Sequence, residues 1–209
     1  MAIQNILPDP YNTITNSGDS GGAITGPGFA SMTLSSDQPI MRDRTNAGRL
    51  ISRSSAYHKW VVNITYNPLT KAEFDPVYNF LLHKQGSLKP FYVSLPQYRA
   101  QGIADKTTNT SAVAGSNTLV CNTTGIVPGA LFRINDSSDS SHTKAYMVTR
   151  VGASSITIVP GLAKEVSAGA TVDFTDPTIK VIQTSDVQQY SLANNNLYSF
   201  SLKLEEVSQ

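Results

Sequence analysis

The clearest pattern of hydrophobic and polar positions lies in residues 60–98. From residue 60 to residue 66, every second side chain is hydrophobic and those between are Val61, Asn63 and Thr65, which is typical of a strand with one buried face. The Asn67-Pro68 pair ends this strand, because proline has no backbone N–H to donate to a sheet. A second alternating run over residues 91–95 ends at Pro96 and predicts another strand.

A helix is predicted between these two strands, over about residues 71–85. Thr70 and Glu73 have the spacing of a capping box, in which side chains satisfy backbone N–H groups at a helix start. Gly86 can adopt the left-handed conformation that ends a helix. Hydrophobic residues recur at steps of three and four and give the helix one apolar face: Phe74, Val77, Tyr78, Leu81 and Leu82.

Pro76 lies inside this predicted helix and leaves two alternatives open. In one, its missing N–H and fixed backbone angle kink the first turn. In the other, the helix restarts with Asp75 as its N-cap and Pro76 at its first position, where proline is tolerated. Either alternative gives a helix of about ten to fifteen residues.

Short hydrophobic runs separated by turns dominate the second half of the chain. Their spacing and polar turns are typical of a small antiparallel barrel or sandwich. Residues 101–116, which precede them, have almost no hydrophobic periodicity and are predicted to be a linker. The predicted strands are residues 118–122, 131–135, 145–151, 155–159 and 171–174.

Longer alternation resumes at residues 179–183 and near the C-terminus. A terminal strand of this kind needs partners, and the strands that suit it lie before residue 100. We therefore predict a mainly β protein in which residues 1–107 and 177–209 form one β domain with one packed α-helix. Residues 108–176 are predicted to be a small antiparallel β-barrel module inserted into that domain.

Composition excludes several classes of protein. The chain has 209 residues, of which 40% are hydrophobic and 15% charged, as in a folded protein with a polar surface. A net charge of +1 argues against a nucleic-acid binder that works by neutralising phosphates. The single cysteine, Cys121, excludes an internal disulfide and a cysteine-rich zinc site. It follows hydrophobic residues in a predicted strand, so we expect a buried thiol.

The sequence shows no targeting signal. Residues 1–20 lack the basic start and continuous apolar block of a secretory peptide. No segment is long and apolar enough to cross a bilayer. We expect the chain to be made in a cytosol and to stay there until it is assembled.

The GDSGG segment at residues 18–22 matches the sequence around the nucleophile of trypsin-like serine proteases. Those enzymes place a histidine base and an aspartate earlier in the chain, and no histidine precedes Ser20 here. Glycine, serine and aspartate are also common in exposed turns. We interpret this segment as a loop and predict no catalytic residues.

The histidines do not form a recognisable site. His58, His83 and His142 lie on a predicted strand, near the helix end and in a serine-rich loop. Residues 135–142 carry oxygen and nitrogen ligands, but they lack the glycine and the closing glutamate of an EF-hand loop. We therefore predict no metal site, no cofactor and no enzyme activity.

A loop-like run over residues 35–55 contains Arg42, Arg44, Arg49 and Arg53. These arginines are candidates for an assembly arm, because arginine is enriched at protein interfaces. A solvated charged loop in a monomer is the alternative, because exposed loops are charged in any case. The sequence does not distinguish the two.

Two groups of segments carry a resemblance to a known family. The first combines the strand WVVNITY, the helix end NFLLHKQG and the strand KPFYVSLP. It resembles tail structural proteins of tailed bacteriophages, in the group of minor tail, distal tail and baseplate-hub proteins. The second group, NTLVCNTTGIVPGALFRI, KAYMVTRV and SSITIVPGL, resembles the small β module of such proteins. Together the two groups cover well over half of the chain.

This resemblance implies a β-sandwich or barrel of tail-tube type with one helix, plus the inserted barrel module. It implies a structural subunit that forms a ring, commonly a hexamer, at the junction of the tail tube with the tip or baseplate. The implied partners are copies of the chain and other tube, hub or tip proteins. The implied location is the virion, after assembly in the bacterial cytoplasm. Neither nucleic-acid sequence recognition nor membrane insertion is implied.

Within this implied assembly, residues 29–55 are an arm that becomes ordered on assembly, and the inserted module lies on the outside. The alternative function is a carbohydrate- or receptor-binding module of a tail tip, with the barrel as the reader. That alternative predicts exposed aromatic side chains in one groove. Most aromatic residues between positions 60 and 98 stand at alternating or helical positions, which favours a place in the core.

Overall fold

A computed structural model describes residues 5–12, 26–54, 57–99 and 101–207. In these ranges the chain is mainly β, as predicted. The helices are α1 (Lys71–Lys84) and α2 (Pro96–Arg99). The strands are β1 (Phe29–Asp37), β2 (Ile40–Arg44), β3 (Leu50–Ser54), β4 (Lys59–Tyr66), β5 (Phe91–Ser94), β6 (Lys106–Thr107), β7 (Thr118–Val120), β8 (Leu131–Asn135), β9 (Ala145–Val151), β10 (Ser155–Val159), β11 (Thr171–Asp173), β12 (Thr178–Gln183), β13 (Ser191–Leu192), β14 (Tyr198–Ser199) and β15 (Ser201–Glu206).

A five-stranded antiparallel sheet joins strands from both ends of the chain, in the order β1-β4-β15-β12-β5. The central strand β4 shows the alternation predicted from the sequence, with every second side chain buried. Val62 lies opposite Leu34 on one neighbour and Leu204 on the other. The C-terminal strand thus finds its partners before residue 100, as predicted.

Helix α1 begins as the sequence predicts. The Glu73 carboxylate accepts hydrogen bonds from the Thr70 backbone N–H at 2.9 Å and the Thr70 hydroxyl at 2.8 Å. The helix runs without a break across Pro76, so the alternative in which the helix restarts there is wrong. Gln85 and Gly86 both adopt positive φ, at 58° and 63°, where the helix ends. The left-handed turn therefore starts one residue earlier than the glycine predicts.

A six-stranded antiparallel sheet is formed by residues 106–173, in the order β6-β11-β8-β9-β10-β7. A bridge between Thr108 and Cys121 brings its two end strands together, so the sheet curls into a small barrel. All five strands predicted in this region are present. Lys106 and Thr107 form a sixth, so the prediction of a linker over residues 101–116 is wrong in this part.

Each sheet has its own hydrophobic cluster. One contains the buried face of α1 and the five-stranded sheet, and the other fills the barrel. Leu131 and Ala145 of the barrel strands belong to the first cluster, so the two sheets are packed together. The division into domains at residues 107/108 and 176/177 stays a prediction.

No helix in the described ranges is long and apolar enough to span a bilayer.

Candidate assembly surface

Strands β2 and β3 form a two-stranded ribbon, which we call the arginine hairpin (Ile40–Arg44 and Leu50–Ser54). Among the described strands they pair only with each other. The turn between them is closed by a hydrogen bond from the Thr45 N–H to the Arg49 carbonyl at 2.9 Å. Gly48 has a φ of 80° in this turn, which glycine tolerates best. The loop-like run thus contains a hairpin, and its role as an assembly arm stays a prediction.

Large hydrophobic side chains are exposed on the arginine hairpin. Their exposed fractions are 47% for Ile40, 72% for Met41, 56% for Leu50 and 52% for Ile51. Opposite residues of an antiparallel pair share a face, so Ile40 and Leu50 lie on one face and Met41 and Ile51 on the other. Each face also carries arginine, so both combine a cation with an apolar surface.

The predicted arginines are distributed over the two faces of this ribbon. Arg42 and Arg44 belong to β2 and lie on the Ile40 face, whereas Arg53 lies opposite Met41 on the other face. Arg49 is next to the turn, where its backbone pairs with Thr45. All four side chains are exposed. The structure thus places them on one projecting element but not in a single cluster.

The root of the arginine hairpin is held to the five-stranded sheet. Ser36 precedes the hairpin and His58 follows it. The Ser36 hydroxyl lies 3.0 Å from the His58 Nε2 atom, which links the two segments, or legs, that lead into and out of the hairpin. On the other face, the Lys59 ammonium lies 2.7 Å from the Glu205 carboxylate and 3.9 Å from the Asp37 carboxylate. At roughly 3.3 Å per residue, the chain from Asp37 to the turn can extend at most about 30 Å from the sheet.

The prediction of an arm over residues 29–55 is wrong in its first part. Phe29–Asp37 is β1, which pairs with β4 and contributes to the five-stranded sheet. The free element is restricted to the residues between β1 and β4.

The two edges of the five-stranded sheet differ. At the β5 edge, the N-terminal segment pairs in parallel with Tyr92: the Leu7 N–H donates to the Tyr92 carbonyl at 2.8 Å, and the Tyr92 N–H donates to the Asn5 carbonyl at 2.8 Å. At the other edge, β1 has β4 on one side and no paired strand on its outer side among the described residues. The open edge runs directly into the arginine hairpin.

The barrel offers no aromatic groove of the kind that the saccharide-binding alternative predicts. Its aromatic residues, Phe132, Tyr146 and Phe174, are all fully buried. An open groove of about 750 Å³ lies elsewhere, between the ends of β4 and β15 and residues 185–191. Tyr190 is the exposed aromatic residue among its lining side chains.

Three residues with titratable side chains, His142, Asp136 and Cys121, are buried in the barrel region. His142 is buried and its Nε2 atom lies 2.8 Å from the Tyr146 hydroxyl. Asp136 accepts hydrogen bonds from the Ser138 and Ser167 N–H groups, which holds the pKa of its carboxyl below the ordinary value. Cys121 is buried, as predicted, and burial raises the pKa of its thiol.

His83 lies in the last turn of α1, as predicted. In the described part of the chain, no group of three or more His, Cys, Asp or Glu residues is placed to hold a metal ion. The GDSGG segment at residues 18–22 lies outside the described residues.

Comparison with known proteins gives two matches. Residues 7–98 match the family model for the N-terminal part of the A domain of the distal tail protein pb9. That range contains the arginine hairpin, α1 and β5. The chain is also 28% identical over 213 residues to the distal tail protein pb9 of Escherichia phage T5, an alignment that covers 96% of this chain and 98% of that protein. The resemblance found in the sequence is thereby confirmed: the chain is a structural protein of a bacteriophage tail, similar to distal tail proteins.

Proposed function

We propose that the chain forms a ring at the junction between the tail tube and the tip or baseplate, and that copies join through the arginine hairpin. The observation that carries this proposal is the hairpin itself. It projects from the sheet, it exposes four large hydrophobic side chains, and among the described strands it pairs only with itself.

A free two-stranded ribbon needs an external partner. Isolated hairpins are marginally stable in water, because two strands bury little apolar surface. The arginine hairpin exposes hydrophobic residues on both faces, so a partner that covers only one face leaves the other in water. Arginine beside exposed methionine is a composition enriched at protein interfaces. These features support a partner that surrounds the ribbon.

A second copy of the chain suits this requirement. The hairpin of one copy and the surface that receives it on the next are different patches, so the contact is heterologous. Repeated heterologous contacts give a ring when the rotation between copies closes. With a reach of up to about 30 Å, the hairpin is long enough to contact a neighbouring copy.

The tail position and the partners are part of the same proposal. The relative from phage T5 is a distal tail protein, which supports a place at the far end of the tube. We propose other tube, hub or tip proteins as the remaining partners, in the virion, and a structural role without enzyme activity. A ring that commonly has six copies, assembled in the host cytoplasm, completes the proposal.

We propose the predicted division into domains as well. Residues 1–107 and 177–209 supply the five-stranded sheet and the hairpin, whereas residues 108–176 supply nearly all of the barrel. The two separate hydrophobic clusters support this division. In the ring, the first domain makes the contacts between copies and the barrel lies outside.

The test compares two double variants of the full-length chain. Met41→Ser/Ile51→Ser removes the hydrophobic side chains from one face of the hairpin. Leu88→Ser/Val127→Ser is the matched control, because these residues are equally exposed but lie elsewhere. Light scattering coupled to size exclusion gives the mass, and electron microscopy shows whether rings form.

We expect rings for the wild type and the control, and monomers with unchanged circular dichroism for the hairpin variant. Rings formed by the hairpin variant contradict the assigned contact. A wild-type monomer that also fails to bind tube or hub proteins contradicts the ring.

A further inference from the structure

A buried ion pair lies where the barrel, the five-stranded sheet and the root of the arginine hairpin meet. Lys144 precedes barrel strand β9, and Glu206 ends strand β15 of the sheet. Their side chains are 5% and 0% exposed and form a salt bridge. The pair is separated by 62 residues along the chain, so it joins two distant segments.

The pair also holds backbone groups on both sides of the contact between the barrel and the sheet. The Lys144 ammonium donates to the His58 carbonyl at 2.7 Å. The Glu206 carboxylate accepts from the Ala145 N–H at 3.0 Å and from the Trp60 N–H at 3.2 Å. The Trp60 indole N–H completes the set by donating to the Ala145 carbonyl at 2.9 Å.

These bonds hold the chain at the point where the hairpin leaves the sheet. His58 comes four residues after the end of β3, and its ring lies 3.0 Å from the Ser36 hydroxyl on the other leg of the hairpin. Both legs are therefore connected to Lys144. Both charges are buried and hydrogen-bonded, so a shift that breaks these bonds leaves a charge unpaired in the interior, which is costly.

We infer that the Lys144–Glu206 pair fixes the direction of the arginine hairpin relative to the barrel. The barrel and the hairpin root then move as one body, so a protein that docks on the barrel also positions the hairpin. Lys144 and Glu206 are positioning residues in this arrangement. The inference concerns a single copy of the chain and is independent of ring formation.

The experiment measures the distance between hairpin and barrel by pulsed electron paramagnetic resonance. Spin labels are placed on Met41→Cys near the hairpin root and Val127→Cys on the barrel, both highly exposed positions. Cys121 is buried and takes up little label. Labelled chain is diluted into an excess of unlabelled chain, so that only distances within one copy are recorded.

Two double variants are compared on this labelled background. Lys144→Met/Glu206→Gln removes both buried charges at once, a change that buried pairs commonly tolerate without loss of the fold. Lys71→Met/Asp75→Asn is the control. It removes both charges of an exposed ion pair on α1, which takes no part in the hairpin root.

We expect a narrow distance distribution for the wild type and for the exposed-pair variant, and a broadened, shifted distribution for the buried-pair variant. A label pair within the barrel, Val113→Cys/Val127→Cys, must stay unchanged to show that the barrel is folded. A narrow distribution in the folded buried-pair variant overturns the inference. A broad distribution in the wild type overturns it without any variant, so loss of folding in one variant leaves the test intact.

Discussion

The barrel and the five-stranded sheet differ in whether their edge strands are paired. The barrel brings its end strands together at Thr108 and Cys121, so its backbone groups are satisfied within one chain. The sheet keeps one edge open at β1 and extends it into the arginine hairpin. Open edges are sites for pairing with other chains.

Because of this difference, we expect barrel residues to affect mainly folding and exposed hairpin residues to affect mainly assembly. All the barrel strands are provided by a continuous stretch, residues 106–173, and the barrel aromatic residues point inward. The sheet is provided by distant parts of the chain and leaves hydrophobic side chains exposed on its hairpin. Substitutions in the two regions should therefore have different consequences.

The largest effect is expected when a core aromatic residue is removed from either region. Phe132→Ala in the barrel and Phe91→Ala in the sheet each remove a fully buried ring, at a cost of about 3–5 kcal/mol in the free energy of unfolding. Chemical denaturation followed by fluorescence of Trp60, the single tryptophan, measures both.

Trp60 belongs to the sheet but donates to the Ala145 carbonyl of the barrel, so both variants should move its transition to lower denaturant. A Trp60 transition that is unchanged in Phe132→Ala contradicts this and shows that the two regions unfold independently.

A buried histidine in each region predicts a dependence of stability on pH. Burial, with a further contribution from the Lys144 ammonium, lowers the pKa of His58 from 6.5 to about 4. Burial also lowers the pKa of His142 in the barrel. At His58, the unfolded chain therefore binds a proton near pH 6.5 that the folded chain binds only near pH 4. The contribution of His58 to the free energy of unfolding is therefore fully present above pH 6.5. It is lost as the pH falls towards 4, by up to about 3 kcal/mol.

Glu206 acts in the opposite direction, because burial raises the pKa of its carboxyl. The variants His58→Gln and His142→Gln isolate each histidine from this background. His58→Gln should flatten the curve of unfolding free energy against pH between about 6.5 and 4, and His142→Gln should flatten it below about 6.5. A wild-type slope retained in His58→Gln would show that this histidine is not the titrating group.

The N-terminal cap of α1 offers a smaller effect that is confined to the sheet region. Glu73→Ala removes the carboxylate that accepts from the Thr70 N–H and hydroxyl, and should lower the free energy of unfolding by about 1 kcal/mol. Asp75→Ala is the control, since its exposed pair with Lys71 contributes about 0.5 kcal/mol or less. Equal losses in thermal denaturation would contradict the assigned cap.

The smallest effect on folding is expected on the arginine hairpin. Arg42→Ser should change the free energy of unfolding by less than about 0.5 kcal/mol, because its side chain is exposed. It should nevertheless weaken assembly, measured as the concentration at which rings dissociate. Arg150→Ser, an exposed arginine of the barrel, should change neither quantity. Equal weakening by both variants would favour a general charge effect over a hairpin contact.

The sequence predicts those elements whose pattern is local. The alternation from Trp60 to Tyr66 and the cap at Thr70 each lie within a few residues, and the structure places both as expected. Strand β6 was missed because two residues are too few to show any alternation. The sequence did not decide where the helix starts, since the position of Pro76 within the run fits both a kink and a restart.

The candidate surface was predictable only in part. Four arginines in one loop-like run indicate an exposed element, and the hairpin is present there. The run does not show that Met41 and Ile51 also stay exposed, because large hydrophobic residues are ordinarily buried. The Lys144–Glu206 pair has no local signal at all, since 62 residues separate its members.

The short parallel pairing of the N-terminal segment with Tyr92 has a consequence for how copies can join. It occupies the β5 side, so a neighbouring β1 cannot extend the sheet there by simple strand addition. Head-to-tail stacking of whole sheets, the geometry of a fibril, is thereby blocked at its acceptor end. In the ring that we propose, copies therefore contact one another through the projecting hairpin and not through this edge.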